Sequence, residues 1–160
     1  MDKGMYQRRD RLVQEKHHDV YRNQEKWPES TQCSSCKAIF VNGRWSWASS
    51  DEVLHNVVCP ACQRIADKYP AGVIEITGPF FSEHRDEIEN LFHNLEKKEN
   101  AEHPLERIMA ISDEDDKTIV STTGIHLARR IGKALASAYE GSLSMRYGDD
   151  EQSVQLSWER

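Results

Sequence analysis

Between Met5 and Trp27 the apolar positions are sparse, at Tyr6, Leu12, Val13, Val20 and Tyr21, and they form no stripe wide enough for a core. That stretch predicts a solvated helix or an arm that orders on a partner. The pattern then shortens. Ile39-Phe40-Val41 and Arg44-Trp45-Ser46-Trp47 flank Asn42-Gly43, which predicts a β-hairpin with a tight turn. Trp45 and Trp47 alternate and are expected on one face, covering a small core or offering bases a platform for stacking. Gln63 to Tyr69 predicts a short helix stopped by Pro70, and no strand precedes Cys33 in the pattern of a thioredoxin-like redox site.

From Ala71 onward the periodicity is regular. Gly72 to Gly78 reads as a strand bracketed by glycines. Ser82 offers an N-cap to a helix over 82–99, whose apolar face is Ile88, Leu91, Phe92 and Leu95 and whose end is His103-Pro104. Arg107 to Ile111 and Thr118 to Thr122 predict a hairpin around the acidic turn Asp113-Glu114-Asp115-Asp116. A second helix over 124–140 buries Leu127, Ile131, Ala134, Leu135 and Ala138 and stops at Gly141. Two half-buried strands follow, with Leu143, Met145 and Tyr147 facing in on one and Val154, Leu156 and Trp158 on the other. The expected class is α+β. Its second part is a ferredoxin-like β-α-β-β-α-β sheet with an extra C-terminal strand, both helices covering one face.

The four cysteines set the chemistry of the first part. Cys33, Cys36, Cys59 and Cys62 form two C-x2-C pairs separated by 22 residues, with no cysteine left over. Two-residue gaps aim paired thiolates at one point, and four such ligands suit a tetrahedral zinc ion in a closed structural site. The same thiolates serve an iron–sulfur cluster, which stays an alternative to Zn2+. The expected organisation is a charged arm over 1–30, a zinc ribbon over 31–70 and the α+β sheet over 71–160.

Charge narrows the function. The net charge of -6 is a gradient: residues 1–27 carry seven Lys/Arg against five Asp/Glu, and residues 71–160 carry ten against eighteen. A general basic bias for nucleic acid is absent, so a polyanion must be met locally. Two places answer. Arg8, Arg9 and Arg11 lie in the arm, and His126, Arg129, Arg130 and Lys133 follow helical spacing on the face opposite Leu127, Ile131 and Leu135. The latter stripe starts beside a helix N-terminus expected to favour anions, with a solvated face pairing with nearby carboxylates as the alternative. No phosphate-cradling glycine motif, nucleophile elbow or spare thiol is present, which points away from an enzyme. No apolar run exceeds four residues and no apolar stretch follows the first charges, so neither a membrane span nor a secretory signal is expected, and the cytosol is the default compartment.

Cys33-Ser34-Ser35-Cys36, Cys59-Pro60-Ala61-Cys62-Gln63-Arg64-Ile65-Ala66-Asp67, His103-Pro104-Leu105-Glu106-Arg107-Ile108 and Thr122-Thr123-Gly124-Ile125-His126-Leu127-Ala128-Arg129-Arg130-Ile131 resemble a family of small bacterial zinc-ribbon proteins. That family is similar in turn to the N-terminal region of the nonsense-mediated-decay-type adaptor for export of the large ribosomal subunit. The resemblance implies metal binding and contact with ribosomes or their RNA, and implies no catalytic residues. The expected function is therefore non-catalytic zinc-dependent binding of RNA or a ribosomal assembly. A protein–protein adaptor or stress-response regulator using the acidic α+β part is the alternative.

Overall fold

The computed structural model describes residues 27–48, 53, 55–149 and 152–160, and it is mixed α+β with two sheets and four helices among them. The first sheet has four strands, β1 (Thr31–Cys33), β2 (Ile39–Val41), β3 (Arg44–Ser46) and β4 (His55–Val57), in the order β3-β2-β1-β4. The β2–β3 hairpin is the expected one, pairing Phe40 with Trp45 and Val41 with Arg44. Asn42 and Gly43 both take positive φ, 54° and 81°, as a two-residue turn matched to strand twist requires. Strand β1, which the sequence pattern did not announce, pairs antiparallel with β2 and parallel with β4. At three residues each, β1 and β4 are too short to show a period of two.

Helix α1 (Pro60–Asp67) starts three residues earlier than the expected helix at Gln63. Pro60 sits in its first turn, where a missing N–H costs nothing, and Cys59 is its N-cap. The chain leaves through Lys68 in the left-handed region, at φ 55°.

Strands β5 (Gly72–Thr77), β6 (Ile108–Glu114), β7 (Lys117–Thr122), β8 (Ser142–Tyr147) and β9 (Val154–Glu159) form the second sheet, in the order β6-β7-β5-β9-β8. The helix expected over 82–99 is two helices, α2 (Pro79–Glu83) and α3 (Arg85–Glu102). They break at His84, whose ring stacks on Phe80 with centroids 4.0 Å apart, and Ser82 lies inside α2 instead of capping. Helix α4 (Ile125–Tyr139) matches its expected span. Ile88, Phe92, Leu127, Ile131 and Leu135 from α3 and α4 pack with Ile74, Ile76, Val120, Leu156 and Trp158 from one face of the sheet. The other face is polar: Lys117 lies 3.5 Å from Glu75, and the Gln155 side chain donates to Glu75 at 3.0 Å.

Strand order departs from the ferredoxin-like expectation at one place. The extra C-terminal strand β9 does not sit at the edge. It pairs parallel with β5, where the strand after the second helix was expected, and pushes β8 outward. Burial gives the reason. Val154, Leu156 and Trp158 are buried, whereas β8 leaves Ser142, Ser144, Arg146 and Tyr147 exposed, so the more apolar strand takes the inner position and β8 the edge. Among the described residues no helix is long and apolar enough to cross a membrane.

Candidate metal centre and the basic groove beside it

The two C-x2-C pairs converge. The Sγ atoms of Cys33, Cys36, Cys59 and Cys62 all lie within 4.8 Å of one another, positioned to hold a metal ion. Sequence and backbone explain the convergence. Cys33 ends β1 and its chain folds back through a turn in which Lys37 N–H donates to Cys33 O at 2.9 Å and Cys33 N–H to Ala38 O at 2.8 Å. Cys59 begins α1 and Cys62 lies in its first turn, so a helical turn brings the second pair together. Parallel pairing of β1 with β4 then sets one knuckle beside the other.

The donor set fits a tetrahedral ion. Zinc–sulfur bonds of ~2.3 Å require sulfurs about 3.8 Å apart, and Cys36 Sγ lies 3.8 Å from Cys59 Sγ. Backbone N–H groups already point at the sulfurs. Cys36 and Cys59 donate to Cys33 Sγ at 3.4 and 3.3 Å, and Cys62 donates to Cys59 Sγ at 3.4 Å. Such donors stabilise thiolate over thiol. The hydrogen bond shared with Cys59 brings the Cys36 thiol down to about 4, against the opposing effect of burial, and the Ala38 backbone and the Arg107 charge lower it further. The same shared hydrogen bond, with burial, pushes the Cys59 thiol up. A metal ion bound here would take the place of the proton that Cys36 and Cys59 share.

Arg107, to which the sequence pattern assigns no role at the metal centre, reaches the cluster from the segment leading into β6. Its guanidinium donates to Cys62 Sγ at 3.2 Å, Cys36 Sγ at 3.0 Å and Cys59 Sγ at 3.7 Å. Its Nε donates to Pro104 O at 2.7 Å, and its backbone N–H donates to Thr123 Oγ1 at 2.8 Å. Burial opposes its charge, but the hydrogen bond to Cys62 and the charges of Cys36 and Cys59 outweigh burial and raise its pKa. A divalent ion with four thiolates carries a net charge of about -2, which this cation partly offsets. The neighbouring residues bind the same two regions: Leu105 packs into the core of the cysteine module, and the Trp47 indole N–H donates to Asn100 O on α3 at 2.7 Å.

The two tryptophans thus divide. Trp45 is buried, 8% exposed, with Phe40 at 5.5 Å and Trp27 at 6.4 Å between ring centroids. Trp47 lies just past β3, 42% exposed, and does not share that face. Trp45 covers the small core as expected, but the shared face does not extend to Trp47, because the strand ends between them.

A cavity of about 850 Å³ opens where the cysteine module meets α3 and α4. All four residues of the basic stripe, His126, Arg129, Arg130 and Lys133, line it, and Arg44 joins them from the β2–β3 hairpin. Arg130 pairs with Glu99 at 2.8 Å, as the alternative explanation of the stripe anticipates. Among the described residues Arg44, Arg129 and Lys133 have no ion pair, and the buried Nε of Arg129 has no hydrogen-bond partner. Arg8, Arg9 and Arg11 lie outside the described residues.

One expectation is overturned at the start of α4. Its N-terminus is not open to an external anion, because buried Glu106 occupies it and accepts from Leu127 N–H at 2.9 Å. Gly124 makes room: a Cβ there would run into the Glu106 carboxylate. Burial raises the Glu106 pKa, while the Leu127 N–H opposes that rise.

No protein-family model, curated protein or solved structure matches this chain.

Proposed function

We propose that this is a non-catalytic zinc protein that binds RNA, alone or within a ribosomal assembly, through the basic groove beside its metal centre. The supporting observation is the gathering of Arg44, Arg129 and Lys133, all without ion pairs among the described residues, around one cavity in a chain of net charge -6. Cations left unpaired at one concave place are what phosphate contacts require. Zinc is the metal of choice for four thiolates in a closed tetrahedron, and the zinc-ribbon reading rests on that donor set. Four protein ligands leave no coordination position for substrate, so the ion's role is to hold shape. The resemblance of the cysteine pairs and the Thr122–Ile131 stretch to the zinc-ribbon family, and through it to the ribosomal export adaptor, points to the same partner class.

The test is equilibrium binding of RNA across salt concentration. Neutralising roughly three to four phosphates of a single strand predicts that affinity falls roughly 20- to 50-fold from about 50 to 200 mM salt. Arg129→Glu combined with Arg130→Glu is expected to abolish binding while zinc content, read by elemental analysis, stays at one per chain. Absence of RNA binding, or binding that ignores salt, removes the RNA reading, and binding that survives the double substitution removes the groove as its site.

A further inference from the structure

The groove has two kinds of surface, and their layering says more than charge alone. At the rim stand exposed cations: Arg44, Arg130 and Lys133. The lining beneath is mostly apolar. Phe40 is 5% exposed and Trp45 8%, and Pro60, Pro104 and Leu105 join them, with His103 and the carboxylates of Glu99 and Glu106 also on the lining. A phosphate backbone presented by a duplex needs only the rim, since its bases are stacked inside and show shallow edges. An apolar floor below a cationic rim matches a ligand that is anionic at one end and flat and apolar at the other. The volume, about 850 Å³, lies within the range of roughly 300–1,000 Å³ typical of small-ligand sites.

We infer that this cavity is a seat for an unpaired nucleotide, whose phosphate meets the rim cations and whose base lies against the Phe40, Trp45 and Leu105 floor. This rests on the RNA-binding reading and narrows it to single strands. Arg129 is the deepest of the cations: its residue is half-buried, and its Nε is buried without a partner, so it stands between rim and floor. Arg44 follows the Asn42-Gly43 turn, so the hairpin geometry of the cysteine module sets the position of one wall while α4 sets the other.

Fluorescence anisotropy on the zinc-loaded full chain, with a short oligouridylate and an RNA duplex of equal charge, tests the inference. The unpaired strand is expected to bind roughly 5- to 150-fold tighter, the factor supplied by one packed base at ~1–3 kcal/mol. Uridine monophosphate is expected to displace it at concentrations where inorganic phosphate and oligoglutamate do not. Arg44→Glu, at an exposed hairpin position, is expected to weaken the strand without loss of zinc. Backbone resonances of Phe40, Leu105 and Arg129 are expected to shift with either ligand. Equal binding of strand and duplex, both lost in the Arg129→Glu, Arg130→Glu variant, overturns the seat but keeps RNA binding. Shifts at these residues with uridine monophosphate and no binding of any RNA support the seat for a free nucleotide and remove the RNA reading. Phosphate or oligoglutamate competing as well as uridine monophosphate, or resonance shifts confined elsewhere, overturns the seat.

Discussion

The cysteine module and the five-stranded sheet reach stability by different means. The sheet buries Phe92, Ile131, Leu135, Leu156 and Trp158 completely, in a core contributed by two helices and one face of the strands. The module has four strands of three residues and a cluster in which Phe40, Trp45 and two alanines are joined by cysteines. So small a core does not stabilise such strands unaided, and an ion held by the four cysteines would supply what is missing. The contrast teaches that the groove between them has one wall held by apolar burial and another that coordination would hold. With an ion in place, its integrity would depend on the metal.

The largest expected effect breaks the comparison directly. Chelation, or Cys59→Ser, is expected to unfold the module and leave the sheet intact, because apparent zinc-binding energies for such sites run to ~10–16 kcal/mol. Amide resonances would show it: those of β1 to β4 and α1 collapse while those of β5, β7 and β9 keep their dispersion. Loss of both sets together would mean that the two regions are one cooperative unit. Next in size, Phe92→Ala is expected to cost about 3–5 kcal/mol in urea unfolding of the sheet, with the zinc stoichiometry unchanged under native conditions.

A smaller effect sharpens the link between the two. Arg107→Met removes the donors to three sulfurs and is expected to weaken zinc affinity about 10- to 100-fold in competition with a chelator. Arg107→Lys keeps the charge but loses the fork, and is expected to fall between wild type and Met. Unchanged affinity in both would make the contact incidental.

The smallest effect concerns Glu106. Its folded-state pKa is raised by burial, so its contribution to stability is fully present below its unfolded pKa and is lost as the pH rises from about 4.5 through the folded value. Glu106→Gln keeps an acceptor for Leu127 N–H without that ionisation. Chemical denaturation of the zinc-loaded protein is expected to show the variant gaining on wild type as the pH rises, and a constant difference across the range would exclude the ionisation.

Much of this was legible beforehand for reasons that differ by residue. Cys33, Cys36, Cys59 and Cys62 announce a site because two-residue spacing is local geometry. Asn42-Gly43 announces its turn because few residues accept positive φ twice in succession. Helix α4 announces its apolar face because 15 residues cover four turns of the helical period. Strands β1 and β4 carried no such signal at three residues, and the break at His84 depends on a ring stacking that no periodicity encodes.

What the sequence determined by itself was thus whatever is fixed within a few residues of chain: the cysteine pairs, the hairpin, the faces of the long helices and the basic stripe on α4. Only the tertiary structure decided that β9 would displace β8 from the position beside β5, that Glu106 would occupy the N-terminus of α4, and that Arg107 would lie across 45 residues or more from the sulfurs it donates to. Long-range contacts of this kind follow from which surfaces are most apolar and which buried charges need partners. Those are sums over the whole folded chain, and no local window contains them.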